Sequence, residues 1–158
     1  MNINSFVPYE ITEDLIKIPE FDLISDYAFI KHQTISEDIR KKYGDLSDDE
    51  YYKLTIDGGG DLQFDDVYID EIGIVSKNSE MFYNNIKICD AFIYDDIVSW
   101  FIKSCGGEIY ITPTINGYMW NLYSIGIDCE INVKGRKYYK TRYESLDNAI
   151  KYCIKNYF

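Results

Sequence analysis

The chain has 158 residues, 46% of them hydrophobic, with 27 Asp plus Glu against 16 Lys plus Arg and a formal net charge of −11. A chain of this length buries roughly two thirds of its unfolded surface on folding, so a real core is within reach and the disorder pattern of low hydrophobicity with high charge is excluded. So acidic a surface repels nucleic acid, and no apolar run approaches the roughly 20 residues of a membrane helix, which sets aside direct nucleic-acid binding and membrane insertion.

The opening MNINSFVPYEITED lacks the basic-then-apolar order of a secretory signal. Cys89, Cys105, Cys129 and Cys153 stand singly and read as reduced, mostly buried thiols, which points to the cytoplasm. The acid is unevenly placed: residues 1–96 hold 22 carboxylates against 8 cations, and residues 97–158 hold 5 against 8. Residues 45–71 carry ten carboxylates with Lys53 as the single cation, and such a stretch attracts basic proteins.

Along the chain, Pro8 and Pro19 interrupt the beginning, and the apolar residues there change period more than once. SEDIRKKYG, residues 36–44, reads as a short helix capped by Ser36 and ended by Gly44. Ser47 and Glu50 stand at capping-box spacing, yet YYKLTI is β-prone, so residues 48–54 are a helical turn or a strand entry. DLQFDDVYIDEIGIVSK is expected to give one or two strands, and MFYNNIKI another.

From residue 90 the pattern sharpens. Tyr94, Ile97, Val98, Phe101, Ile102 and Cys105 follow one helix face over 94–105, and Gly106-Gly107 supplies the left-handed stop. EIYITPTI alternates, Asn116-Gly117 is a type I′ hairpin signal, and YMWNLYSIGID returns. Ile127, Cys129, Ile131 and Val133 alternate up to a turn at Lys134-Gly135, after which RKYYKT returns. Thr141 and Glu144 then open a closing helix over 142–156, whose stripe includes Leu146, Ala149, Ile150 and Cys153. The expected class is α+β: an antiparallel sheet with hairpins, two amphipathic helices and an N-terminal α/β lobe. It is one domain over 1–158, with an acidic lobe at 1–89 and a helix–hairpins–helix lobe at 90–158.

The stretch DDIVSWFIKSCGGEIYITPTINGYMWNLYSIGID, followed by YYKTRYESLDNAIKYCIK, resembles the helix–hairpin–helix pattern of small proteins common in phages and other mobile elements. That resemblance covers the C-terminal part and carries no chemistry. It implies an accessory protein of phage or mobile-element type.

Gly58, Gly59 and Gly60 sit inside the most acidic stretch. A phosphate loop needs G-x-x-x-x-G-K-[ST], whereas Gly60 precedes Asp61 and no lysine or arginine lies between Lys53 and Lys77. Asp57, Asp61, Asp65 and Asp66 are the right donors for calcium, but the EF-hand spacing is absent, and the plain reading is a flexible hairpin tip with solvated acids. Asp128, Glu130 and Lys134 approach a nuclease set, yet alternation puts both acids on an exposed strand face. His32 is the single histidine, with no G-x-S-x-G elbow to serve, and is expected on the surface or half-buried. The cysteine spacings fit no zinc site. No catalytic residue, metal or cofactor is assigned.

What remains is a docking surface: Asp48, Asp49, Glu50, Asp57, Asp61, Asp65, Asp66, Asp70 and Glu71 supplying charge, with Tyr51, Tyr52 and Tyr68 as aromatic anchors. The expectation requires the fold to gather these carboxylates onto one outward face. The function it predicts is a non-enzymatic inhibitor that occupies the cationic groove of a nucleic-acid-handling host protein. An anti-CRISPR acting as a partial DNA mimic is its concrete form. An immunity protein for a basic toxin nuclease is the alternative of the same class, and a metal-dependent enzyme using the clustered Asp residues that of another. Acidity that serves only solubility is the plainest reading of all.

Overall fold

A computed structural model describes residues 5–124, 132–134 and 137–158. Helices α1 (Tyr9–Leu15), α2 (Glu37–Tyr43), α3 (Asp48–Tyr52), α4 (Phe64–Val67), α5 (Glu80–Asn84), α6 (Tyr94–Cys105) and α7 (Arg142–Tyr157) combine with strands β1 (Tyr27–Ile35), β2 (Tyr68–Ser76), β3 (Ile86–Ala91), β4 (Gly107–Thr114), β5 (Gly117–Ser124) and β6 (Asn132–Lys134). The class is α+β with antiparallel sheets, ordered β2-β1-β3 and β4-β5-β6. The chain divides into two compact units: residues 1–28 with 89–158, and residues 29–88.

In the first unit, α6 and α7 pack on the β4–β5 hairpin, and α1 packs on α7. The register pairs Ile109 with Leu122 and Ile111 with Trp120, so alternation sends one side of the hairpin into the core. Trp120 is 6% exposed and Trp100 is 3% exposed, so both tryptophans are core residues. Val7, Ile11, Leu15 and Ile18 enter the same cluster from the front of the chain, beside Leu146, Ala149, Ile150 and Cys153 of α7. Each large aliphatic or aromatic side chain fully buried there contributes about 1.5–3 kcal/mol.

Local signals end these elements where they should. Gly106 closes α6 at φ 65, and Thr141 Oγ1 accepts the Glu144 N–H at 3.1 Å to start α7. The reciprocal arm of that box is displaced by one residue: the Glu144 carboxylate accepts from the Lys140 N–H, not from Thr141. The hairpin also differs from the expected Asn116-Gly117 turn, since Thr114 pairs with Gly117 and leaves Ile115 and Asn116 as the loop. Gly117 has another reason to be glycine: at φ 123, a β-carbon there would lie 2.3 Å from the Tyr139 carbonyl oxygen. Two N–H···O bonds of 2.8 Å join Tyr118 and Tyr139 at that point.

The second unit is built on less. Its described core cluster is Ile35, Ile39, Tyr51 and Val67, with Tyr43, Leu46, Leu54, Leu62 and Tyr68 packed around it. Ser36 and Gly44 bound α2 as expected. The segment 48–52 is a helical turn, with the Glu50 carboxylate accepting from the Ser47 N–H at 2.8 Å and its hydroxyl at 2.7 Å. Two strand expectations are corrected: FDDV forms α4 before β2 begins, and EMFYN forms α5 before β3. At α5 a cap wins locally over β propensity, Ser79 Oγ accepting the Phe82 N–H, whereas α4 is a single turn with no side-chain cap. The expected strand at 127–131, its acids Asp128 and Glu130, the turn at Lys134-Gly135, and the Cys105 and Cys129 thiols lie outside the described residues or side chains.

Candidate docking surface

Three backbone segments present the acids. Asp48, Asp49 and Glu50 form the first turn of α3, Asp65 and Asp66 that of α4, and Asp57 and Asp61 flank the glycines between them. All seven are exposed, as are Asp70 and Glu71 on β2.

The glycine turn is a tight knot, not a flexible tip. Thr55, fully buried, donates its hydroxyl to the Tyr52 carbonyl at 2.7 Å and accepts the Gly58 N–H at 3.1 Å. The Gly60 N–H donates to the Thr55 carbonyl at 2.7 Å and the Gly59 N–H to the Ile56 carbonyl at 3.1 Å. Across the base, the Ile56 N–H donates to the Leu62 carbonyl at 2.8 Å and the Leu62 N–H to the Leu54 carbonyl at 3.0 Å. The three glycine N–H groups are therefore consumed inside the turn, which removes the donors an anion cradle would need. Steric demand explains the residue type: a β-carbon on Gly58 or Gly60 would collide with the Tyr52 or Leu54 carbonyl oxygen at 2.0 and 2.2 Å, and Gly59 sits at φ 95.

Among the aromatics, Tyr68 stacks on Phe64 with ring centroids 4.6 Å apart, and its hydroxyl donates to the Asp48 carbonyl at 3.3 Å. Burial pushes the Tyr68 phenol up, and the negative charge of Asp48 and Asp49 adds to it, which ties the α3 acids to this ring. Tyr52 is 45% exposed and stands in the same neighbourhood. Tyr51 is corrected: it is 3% exposed, its hydroxyl donates to the Gly44 carbonyl at 2.6 Å and accepts the Leu46 N–H at 3.4 Å. It holds the loop into α3 and offers nothing to a partner. At i, i+1 spacing on a helix, Tyr51 and Tyr52 face different ways, so one of the two had to turn inward.

The single-face expectation is corrected as well. Asp70 and Glu71 are successive residues of β2 and project to opposite faces of the sheet. Asp70 pairs with Lys31 of β1 at 2.7 Å, and among the described residues it is the one carboxylate of the nine held in an ion pair. Glu50 is held by Ser47, whose hydroxyl and then backbone N–H keep its carboxyl below the usual range. The other seven have no ion-pair partner among the described residues.

A polar cleft of about 390 Å³ in the same unit is lined by Lys31, His32, Gln33, Asp70, Asn84, Asn85 and Ile86. His32 is half-buried, its ring lies 3.0 Å from where a β-carbon on Gly73 would be, and its Nδ1 is enclosed without a hydrogen-bond partner. Among the described residues, no serine, threonine or cysteine lines that cleft. Among the described residues, no three His, Cys, Asp or Glu side chains converge as metal ligands, and no helix is long and apolar enough to cross a membrane. No family model, curated protein or solved structure matches the chain.

The first unit holds a cluster that sequence patterns did not mark. The Tyr94 hydroxyl donates to the Asp147 carboxylate at 2.5 Å, and the rings of Tyr94 and Tyr143 are 5.3 Å apart. Burial, then the bond to Asp147, pushes the Tyr94 phenol far up; burial likewise raises Asp147. The residues are 53 apart along the chain, so no local spacing announces them. Their work is to pin α7 to α6.

Proposed function

We propose that the chain is a non-enzymatic binding protein whose acidic unit docks on a basic, nucleic-acid-handling protein. It acts there as an inhibitor that competes with nucleic acid. The observation that supports this reading is a group of exposed carboxylates, without ion-pair partners among the described residues, carried on hydrogen-bonded backbone: Asp57 and Asp61 flank a glycine knot, while Asp48, Asp49, Asp65 and Asp66 occupy helical first turns. A chain that sought only solubility has no need to fix its charges. Fixed anions lose little conformational entropy on meeting a cationic groove and steer the encounter electrostatically. Tyr52, and the part of Tyr68 left open, add desolvatable contact area.

An anti-defence protein of phage or mobile-element origin, including an anti-CRISPR, is the concrete form of this proposal. The test is capture of the partner from the native host with the intact chain, followed by titration against wild type and the Asp61→Lys, Asp65→Lys, Asp66→Lys triple variant over a salt series. Charge reversal should weaken binding by at least about tenfold and flatten the salt dependence. Equal affinities at every salt concentration, or undiminished nucleic-acid binding by the captured protein, would overturn it.

A further inference from the structure

We propose that the outer edge of β2 is a strand-addition site: an extended segment of the cationic partner pairs its backbone with Ile69–Val75, placing Lys and Arg side chains beside Asp70 and Glu71; the Tyr68 N–H and the Ser76 carbonyl at the two ends are already bonded within the fold. This deepens the acidic docking function and rests on it. In the sheet β2 is an edge strand, bonded to β1 on one side. Nine residues long, it has neither lysine nor proline, the usual guards of an open edge. Each other described edge is guarded: β3 holds Lys87, β4 holds Pro113, and β6 is three residues long and holds Lys134.

The residues along that edge describe what fits it. Ile69, Asp70, Glu71 and Ile72 are all exposed, so both faces of the strand are open there. A flat partner surface reaches one face and meets one of the two carboxylates. An added strand lies beside both, its alternate side chains flanking each face. The aliphatic neighbours ask for β-branched residues on the incoming segment, and Glu71 asks for a cation; Asp70 already holds Lys31 and takes an incoming cation only as a second, shared partner. A second copy of this chain is disfavoured, because each brings a net charge of −11 and the same acids to the seam.

The probe is a synthetic peptide of Val-Lys-Lys-Val repeats, in which adjacent lysines project to opposite faces, compared with the same peptide methylated on its backbone nitrogens. Methylation keeps the charge and abolishes strand pairing. Binding to the full chain is followed by anisotropy, with amide exchange measured residue by residue. The unmethylated peptide should bind at least about tenfold more tightly and slow exchange along Ile69–Val75. Ile72→Lys should remove that difference, while Ile86→Lys, the same charge change at an exposed position of β3, should keep it. Equal, salt-sensitive binding of both peptides would overturn strand addition and leave the acidic docking reading standing. Binding of neither at low salt would overturn both. Sedimentation of the chain alone as a dimer that Ile72→Lys splits would also overturn it, by assigning the edge to a second copy.

Discussion

A β-carbon added to Gly58 would stand 2.0 Å from the carbonyl oxygen of Tyr52. The obstacle is backbone, not a side chain that swings aside, so Gly58→Ala must move the end of α3 or break the turn. Gly60→Ala meets the Leu54 carbonyl in the same way. Each should cost about 2–4 kcal/mol in urea unfolding of the intact chain. Gly44→Ala supplies the contrast: its φ is 78 but nothing lies within 4 Å, so only backbone strain remains, about 1 kcal/mol. A rank order with Gly44 costliest would refute the steric account.

The Thr55 hydroxyl, enclosed between the Tyr52 carbonyl and the Gly58 N–H, makes Thr55→Val a near-isosteric probe of the knot. The Gly58 N–H keeps its bond to the Thr55 carbonyl at 3.1 Å, so losing the two hydroxyl bonds should lower stability by about 1 kcal/mol. Tyr51→Phe removes the bond to the Gly44 carbonyl and should cost about 1 kcal/mol, with no effect on partner affinity. A Tyr51→Phe variant that folds normally and loses binding would restore that residue to the interface.

The Tyr94–Asp147 pair gives the first unit an alkaline limit. Tyr94 has its folded value raised above the ordinary value of 10.0, so the stability it contributes is complete below that value and is lost as pH climbs past it. Asp147 is also raised above its ordinary 3.8, so its contribution is full in acid and declines as pH rises through the folded value. Tyr94→Phe should therefore be less stable than wild type at neutral pH and flatter in its alkaline unfolding profile. Tyr9, bonded to Glu13 and shifted to about 12, should titrate early in Glu13→Gln, as read by ¹³C-tyrosine NMR.

Seven exposed carboxylates with no ion-pair partner among the described residues, within a chain of net charge −11, repel more than they support. Added salt should raise the stability of the wild-type chain, and the Asp61, Asp65, Asp66 to Lys variant should stay within about 0.5 kcal/mol of it, with a weaker salt response. Loss of several kcal/mol on reversal would show that these acids hold the fold together.

How much of this was legible depended on where the signal lay. Helices α6 and α7 and the β4–β5 hairpin carry their periodicity, caps and stop glycines within their own residues, so local reading found them. Helix α1 was hidden because Pro8 looked like an interruption; it is the N-cap, and Ile11, Thr12 and Leu15 form the buried face, with Val7 buried just ahead of it. Strand β1 lies between two others with Ala28, Phe29 and Ile30 all buried, which erases the alternation that betrays a strand. Residue types named the acidic surface, yet only coordinates showed Tyr51 turned inward and Asp70 opposed to Glu71.

The core shared by Val7, Ile11, Leu15 and Ile18 with α7 has a consequence for biosynthesis. Those side chains leave the ribosome early and wait for Arg142–Tyr157 before they are covered, whereas the contacts within residues 29–88 are all available well before then. Translation therefore finishes the acidic module first and seals the other last, and a chain stalled before its final helix would present that aliphatic stripe to chaperones and proteases.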